Sequence, residues 1–159
     1  MPTPTYTPLA TVTLGTAAAS VTFSSIPATY RDLIFVFNGT TTIDDGVGLR
    51  FNGDTGSNYS NVRMFGNSSG AGSDTSTTTR IPTTAGNSSL RTAFISQVMD
   101  YSATDKHKTV LTRNNITDNN VAAIAGRWAN TAAITSVTVL SPGSTITSGS
   151  TISLYAIVS

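Results

Sequence analysis

Helix-forming polar residues are almost missing from this chain: it has no Glu, a single Gln (Gln97), and Lys only at Lys106 and Lys108. Solvent-facing helices are usually built on those residue types, which lose little side-chain freedom in a helix. Thr, Ser, Asn and Gly carry the polarity here instead. Thr, like Val and Ile, suits a pleated, half-buried surface, while Asn, Gly and Ser serve the turns between strands. The chain is therefore expected to be all-β, with many short strands.

The order of apolar residues sharpens that expectation. Pro2, Pro4 and Pro8 hold the first residues extended and deny them amide donors, which reads as an arm (1–8) ahead of a single β-sandwich domain (9–159). Leu9–Leu14 and Ser20–Ser25 alternate with period two and are expected to form a hairpin or an outer pair. Leu33–Phe37 is a continuous apolar run too short for a helix, so it reads as a central strand buried on both faces. Gly48–Phe51 and Tyr59–Phe65 flank a turn over 52–58. Residues 66–89 are mostly Gly, Ser, Thr and Asn, interrupted at Thr79–Pro82, and read as a long projecting loop.

Leu90–Tyr101 is expected as a strand whose inward set is either Leu90, Thr92, Phe94, Ser96 and Val98 or its complement. Lys106–Thr112 should pair back after a turn at 102–105. Val121–Trp128 reads as a strand whose small residues let neighbours approach closely, with a short helix over 121–125 as the alternative. Ile134–Leu140 and Thr151–Val158 complete about nine strands at the spacing of a jelly-roll-like β-sandwich.

Charge and cysteine content narrow the function classes. The formal net charge is +1, so no electrostatic footprint for nucleic acid or anionic lipid is present, and neither is expected as a partner. No apolar run approaches the eighteen or so residues of a membrane helix. The apolar fraction, 38% without Gly, and the nearly uncharged surface point to some stability gained by association. Cys is absent, and the N-terminus has neither a basic segment nor an apolar core, so no signal peptide is expected, and either assembly in a reducing cytoplasm or a fold stable without disulfides. Five Asn-x-Ser/Thr sequons, at Asn38, Asn58, Asn67, Asn87 and Asn115, follow from the Asn- and Thr-rich composition and are not read as glycosylated.

Chemistry-bearing residues are few. His107, the one histidine, sits between two lysines and reads as an edge-strand residue with the lysines guarding that edge. All eight acids are Asp, and most abut expected turns, where a short carboxylate bonds the local backbone. Asp44 and Asp45 are adjacent and would face opposite ways on a strand, unlike a paired acid and base. Asn52, Asp54, Gly56 and Asn58 alternate like the ligands of a calcium loop. Its twelfth position is Arg63, however, where a bidentate Glu is required, so the segment reads as a Gly-rich hairpin loop. No enzyme activity, cofactor or metal is expected. Among the aromatics, Tyr59 and Trp128 are candidates for a sugar-stacking surface, although most aromatics should lie in the core or at subunit contacts.

Three patches carry a resemblance: Leu9–Gly15 continuing through Val21–Leu33, then Leu49–Ser60, and the ending Ile152–Ile157. Together they resemble segments recurrent in structural proteins of tailed-phage virions. Within that family, Ile26-Pro27 with Tyr30, Asp32 and Leu33 looks like the turn into the central strand, a fold-defining feature. The resemblance implies either a capsid decoration (cement) protein or a tail or head fibre module. The short stretch before the first strand leaves no room for a fibre shaft and favours decoration.

The expectation is thus a non-enzymatic homotrimer on the outer head surface, made and assembled in the host cytoplasm, that binds the major capsid protein and bridges its subunits. Its contact candidates are Thr3, Pro4, Tyr6 and Pro8 of the arm, Arg80 of the long loop, and Tyr59 and Trp128. The alternative, a fibre module, would bind a host receptor or glycan.

Overall fold

Alternating side chains give each strand one face to bury, and two sheets stacked face to face are the simplest way to bury them all. The computed structural model describes residues 5–43, 46–84, 90–117 and 120–158. Within them the chain is an all-β sandwich whose strands run β1 (Tyr6–Thr13), β2 (Ser20–Phe23), β3 (Asp32–Gly39), β4 (Gly48–Phe51), β5 (Tyr59–Asn67), β6 (Gly70–Thr78), β7 (Ile81–Pro82), β8 (Thr92–Met99), β9 (Lys108–Ile116), β10 (Asn120–Trp128), β11 (Val137–Leu140) and β12 (Thr151–Ile157). An eight-stranded sheet is ordered β1-β12-β3-β8-β9-β10-β5-β6, and a four-stranded sheet β2-β11-β4-β7 lies against it. Every strand pair in both sheets is antiparallel.

The core lies between the sheets. Leu33, Phe35 and Phe37 of β3, Phe94 and Val98 of β8, Val110 of β9 and Trp128 of β10 meet Leu49 and Phe51 of β4 and Val137 and Val139 of β11. Phe37 and Phe94 stack at a centroid distance of 5.0 Å. Ile81 of β7 packs over Gly126 of β10, where a Cβ would come within 2.9 Å of it. The close approach expected among the small residues of β10 is therefore realised at Gly126, and the segment is a strand along its whole length. For β8 the inward set is Thr92, Phe94, Ser96 and Val98.

Several expectations are corrected. Tyr6, Thr7 and Pro8 belong to β1 and not to an arm, since they pair with Ile157, Ala156 and Tyr155 of β12. Pro8 is tolerated because β1 is a sheet edge, and the register slips between Pro8 and Ala10. The runs expected as a hairpin separate, β1 going to the large sheet and β2 to the small one. β4 and β5 likewise lie in different sheets, so 52–58 is a crossover and not a hairpin loop. The expected long loop contains β6, paired with β5 over nine residues. Its side chains are small and exposed on both faces, which leaves no apolar alternation to read. β9 is interior, flanked by β8 and β10, so Lys108 guards no edge. Asp44 and Asp45 lie outside the described residues.

The crossover is fixed from within. Asn52 and Gly53 both adopt left-handed backbone (φ 50° and 69°), which Asn and Gly tolerate best. The Asn52 Oδ1 accepts from the amides of Thr135 (2.9 Å) and Ser136 (3.1 Å), and its Nδ2 donates to the Ala133 carbonyl at 2.8 Å. The Tyr59 hydroxyl accepts from the Phe51 amide at 3.1 Å and donates to the Asp54 carbonyl at 3.1 Å.

Burial pushes the Tyr59 phenol up to about 12, against 10.0 for an ordinary tyrosine. The unfolded chain therefore ionises from pH 10 while the folded chain keeps its proton, and stability falls as pH rises from 10 to 12. The expected loss is roughly 2–3 kcal/mol. Burial raises Tyr101 as well and adds to the effect. Urea midpoints measured across this window should fall more steeply for the wild type than for Tyr59→Phe, and parallel curves would show that Tyr59 is not the group responsible.

Candidate functional site: the outer face of the large sheet

One face of the eight-stranded sheet is covered by the small sheet, and period-two alternation sends the other half of its side chains outward. Register places those outward residues in rows. One row runs Val36, Ile95, Arg113, Ala123 and Met64 across β3, β8, β9, β10 and β5; the next runs Ile34, Gln97, Leu111, Ala125 and Val62. Apart from Arg113 and Gln97, the two rows form a band of aliphatic side chains. Met64 is 61% exposed, Val62 50% and Leu111 47%. A groove of about 600 Å³ crosses the band at Ile34, Val36, Ile95, Leu111 and Arg113, with Tyr6 and Tyr155 at its margin. A second groove of about 340 Å³ continues it over Val62, Met64, Leu111 and Ala123. Contiguous apolar exposure of this kind is characteristic of interaction surfaces.

The charge on this face is one-signed. Arg113 and Arg127 project from it, at outward positions of β9 and β10. Asp32, the one acid at an outward position among the described strand residues, is buried at the end of β3. Its Oδ2 accepts from the Gln97 amide at 2.8 Å and from Arg31 Nη2 at 3.1 Å, and its Oδ1 accepts from the Asp100 amide at 3.0 Å. Burial alone would push this carboxyl up, but the Asp100 amide, Gln97 and Arg31 outweigh it, and the net shift is downward. The arrangement therefore ties β3 to the end of β8 and takes the carboxylate out of the groove.

Arg80 and the aromatic candidates lie elsewhere. Trp128 and Tyr59 are buried on the inner face, stacked at 6.3 Å with 19° between their rings, and cannot present a sugar platform. Their alternation phase sets this, since positions 122, 124, 126 and 128 of β10 all point inward. Arg80 is half-buried next to Gly48, filling the space a Cβ would need there. Tyr6 and Pro8 are exposed on the edge strand β1, with Tyr6 at the groove margin. Thr3 and Pro4 lie outside the described residues.

The remaining polar groups are structural. The Asp54 carboxylate accepts from Trp128 Nε1 at 2.7 Å, Asn58 Nδ2 at 3.0 Å and the Gly56 amide at 2.8 Å. The first two of these donors dominate in holding it below the ordinary carboxylate value. A carboxylate so engaged anchors the loop. Lys108 is buried and donates to the carbonyls of Lys106 (3.0 Å) and Thr131 (3.1 Å), and burial lowers its ammonium. His107 is exposed just before β9. The described residues contain no cluster of three or more His, Cys, Asp or Glu able to hold a metal ion.

The residues of the outer band were not singled out from sequence. The available signal was β8–β10 being apolar at positions of both phases, as at Phe94 with Ile95 and Val110 with Leu111.

No family model and no curated protein matches this chain. Solved structures similar to it include the alginate lyase Aly36B, at 10% identity and a TM-score of 0.35, covering 92% of this chain and 77% of that one. The Caenorhabditis elegans galectin LEC-6 matches at 8% identity and a TM-score of 0.35, covering 91% and 94%. The PL-14 alginate lyase from Aplysia kurodai matches at 8% identity and a TM-score of 0.33, covering 83% and 70%. Likenesses this remote assign no site and no activity to the chain.

Proposed function

We propose that this chain is a non-enzymatic structural protein of a tailed-phage virion. It binds the outer surface of the head as a decoration protein and stabilises contacts between major capsid protein subunits. The observation that carries the reading is the uncovered aliphatic band on the large sheet, which suits burial against a partner protein. Arg113 and Arg127 give that band a preference for a partner surface bearing carboxylates. The three resembling patches fall on β1–β3, on β4 with the crossover into β5, and on β12, so they are framework segments that a virion module would share. Asp32 and Asp54 are both held in structural hydrogen bonds, which leaves them unsuited to acid–base work.

The test is the copy number of this protein in purified particles, by quantitative mass spectrometry against the major capsid protein. Hundreds of copies in fixed ratio to the capsid protein are expected, with Leu111→Asp folding normally but lost from the particles. A handful of copies would move the protein to the tail as a fibre module, and the groove beside Tyr6 and Tyr155 would become the surface to test against host glycans. Absence from particles would overturn the reading.

A further inference from the structure

β6 is the free edge of the large sheet, and it lacks the devices that normally keep such an edge from pairing. Edge strands are usually kept short, or carry Lys, Pro or a bulge. β6 contains neither Lys nor Pro, and its nine pairs with β5 run without interruption from Tyr59–Thr78 to Asn67–Gly70. Its single charge, Asp74, is neutralised by Arg63 of β5, whose Nε lies 3.2 Å from both carboxylate oxygens. The rest of the strand is Gly, Ala, Ser and Thr, exposed almost throughout.

The other edges contrast with this one. β1, at the far side of the same sheet, carries Pro8 and the slip between Pro8 and Ala10. In the small sheet the edges are β2, with four residues, and β7, with two residues ending at Pro82. Among the described strands, β6 is therefore the long edge left open.

We propose that β6 pairs antiparallel with β6 of a second copy of this chain across a two-fold axis, joining two large sheets into one. A second copy is the occupant because it supplies a neutral, unguarded strand of matching length, about 30 Å. A head-to-tail match onto β1 is opposed by the proline and the bulge, so the contact closes at two chains instead of growing into a filament. Charge selects the register. An axis through Asp74 would set two carboxylates directly opposite each other, which is unfavourable. An axis through Thr75 sets Thr75 opposite its own copy, Ser73 opposite Thr77, and Asp74 opposite Ser76. The outward side chains then form a ladder of hydroxyls, a favourable cross-strand pairing.

Edge pairing of this kind gives a dimer, because a three-fold ring would need two different open edges on each chain. The inference concerns self-association alone and stands apart from the virion assignment.

Sedimentation equilibrium of the full chain over a concentration series tests it. The expected species has twice the 16.5 kDa chain mass. Thr75→Lys, which brings two ammonium groups together at the axis, should return it to monomer with an unchanged circular dichroism spectrum. Ser73→Lys should weaken the dimer in the same direction. Hydrogen exchange should show the β6 amides that face away from β5 protected in the wild type, with that protection lost in Thr75→Lys. A monomer at all concentrations, a three-chain species, or a dimer that survives both lysine variants would overturn the proposal.

Discussion

Trp128→Ala should lower the unfolding free energy by about 3–5 kcal/mol, the cost of emptying a large aromatic site in a packed core. Trp128 is 1% exposed and lies at the centre of an aromatic group, 5.6 Å from the Phe51 ring and 6.3 Å from the Tyr59 ring. Those two residues belong to opposite sheets, so the indole binds the sheets together where the chain crosses between them. Its N–H also holds Asp54, and through Asp54 the crossover 52–58. Truncation therefore leaves a cavity and releases the carboxylate, whose downward shift should relax toward the ordinary value.

Trp128→Phe is the milder change. It keeps a six-membered aromatic ring but loses the N–H and the rest of the fused five-membered ring, and should cost about 2–3 kcal/mol, one charge-assisted hydrogen bond plus a smaller cavity. Because domains have a total stability of only about 5–15 kcal/mol, the alanine variant should melt far below the wild type or fail to accumulate. Trp128 is the only tryptophan, so unfolding must be followed by circular dichroism or calorimetry in both variants. A loss under about 1 kcal/mol for Trp128→Ala would contradict the burial of the indole.

Asp32→Asn should cost about 2–3 kcal/mol at neutral pH, because charge-assisted hydrogen bonds are the strong ones and the groups around Asp32 are all donors. The Gln97 amide, the Asp100 N–H and the Arg31 guanidinium converge on a carboxylate with acceptors on both oxygens. An asparagine offers one acceptor and turns its own NH₂ toward donors. Arg31 is largely exposed, so its ion pair with Asp32 adds little to that figure.

The pH dependence follows from the downward shift. A carboxyl whose folded value lies below its unfolded value of 3.8 contributes stability above that value and loses it as pH falls through the folded value. The wild type and Asp32→Asn should therefore differ at pH 7 and converge in strong acid, once the wild-type carboxylate is itself protonated. Denaturant midpoints from pH 7 down to about 2 would show this. A gap that persists unchanged at the acid end would assign the cost to packing and not to charge.

Neither variant touches the β6 edge, since β3 and β10 are both separated from β6 in the sheet. Trp128 lies on the inner face, whereas Asp32 bonds Gln97 and so adjoins the outer band. Loss of particle binding in Leu111→Asp, or of dimer in Thr75→Lys, without a fall in stability would therefore report on those surfaces alone.

The sequence by itself determined that the chain is all-β and sandwiched, because the absence of Glu and the scarcity of Gln and Lys disfavour helices, and period-two runs leave each strand one face to bury. It also marked Leu33–Phe37 as a central strand, but the expected cover on both faces fails: Leu33, Phe35 and Phe37 face the core, while Ile34 and Val36 line the groove on the uncovered face. Small residues marked β10 for close packing, and Gly126 under Ile81 bears that out. Other features are set between strands distant in sequence. β6 was unreadable because a strand exposed on both faces has no burial to imprint on its side chains. The partners of β1 and β2 were unreadable because alternation states which face is buried and not against which sheet. Trp128 and Tyr59 read as surface candidates until phase and crossover placed them inward. The outer band exists only as a register of five strands: Ile95, Leu111, Ala123 and Met64 are unremarkable one at a time, and only the antiparallel ladder brings them together on one uncovered face.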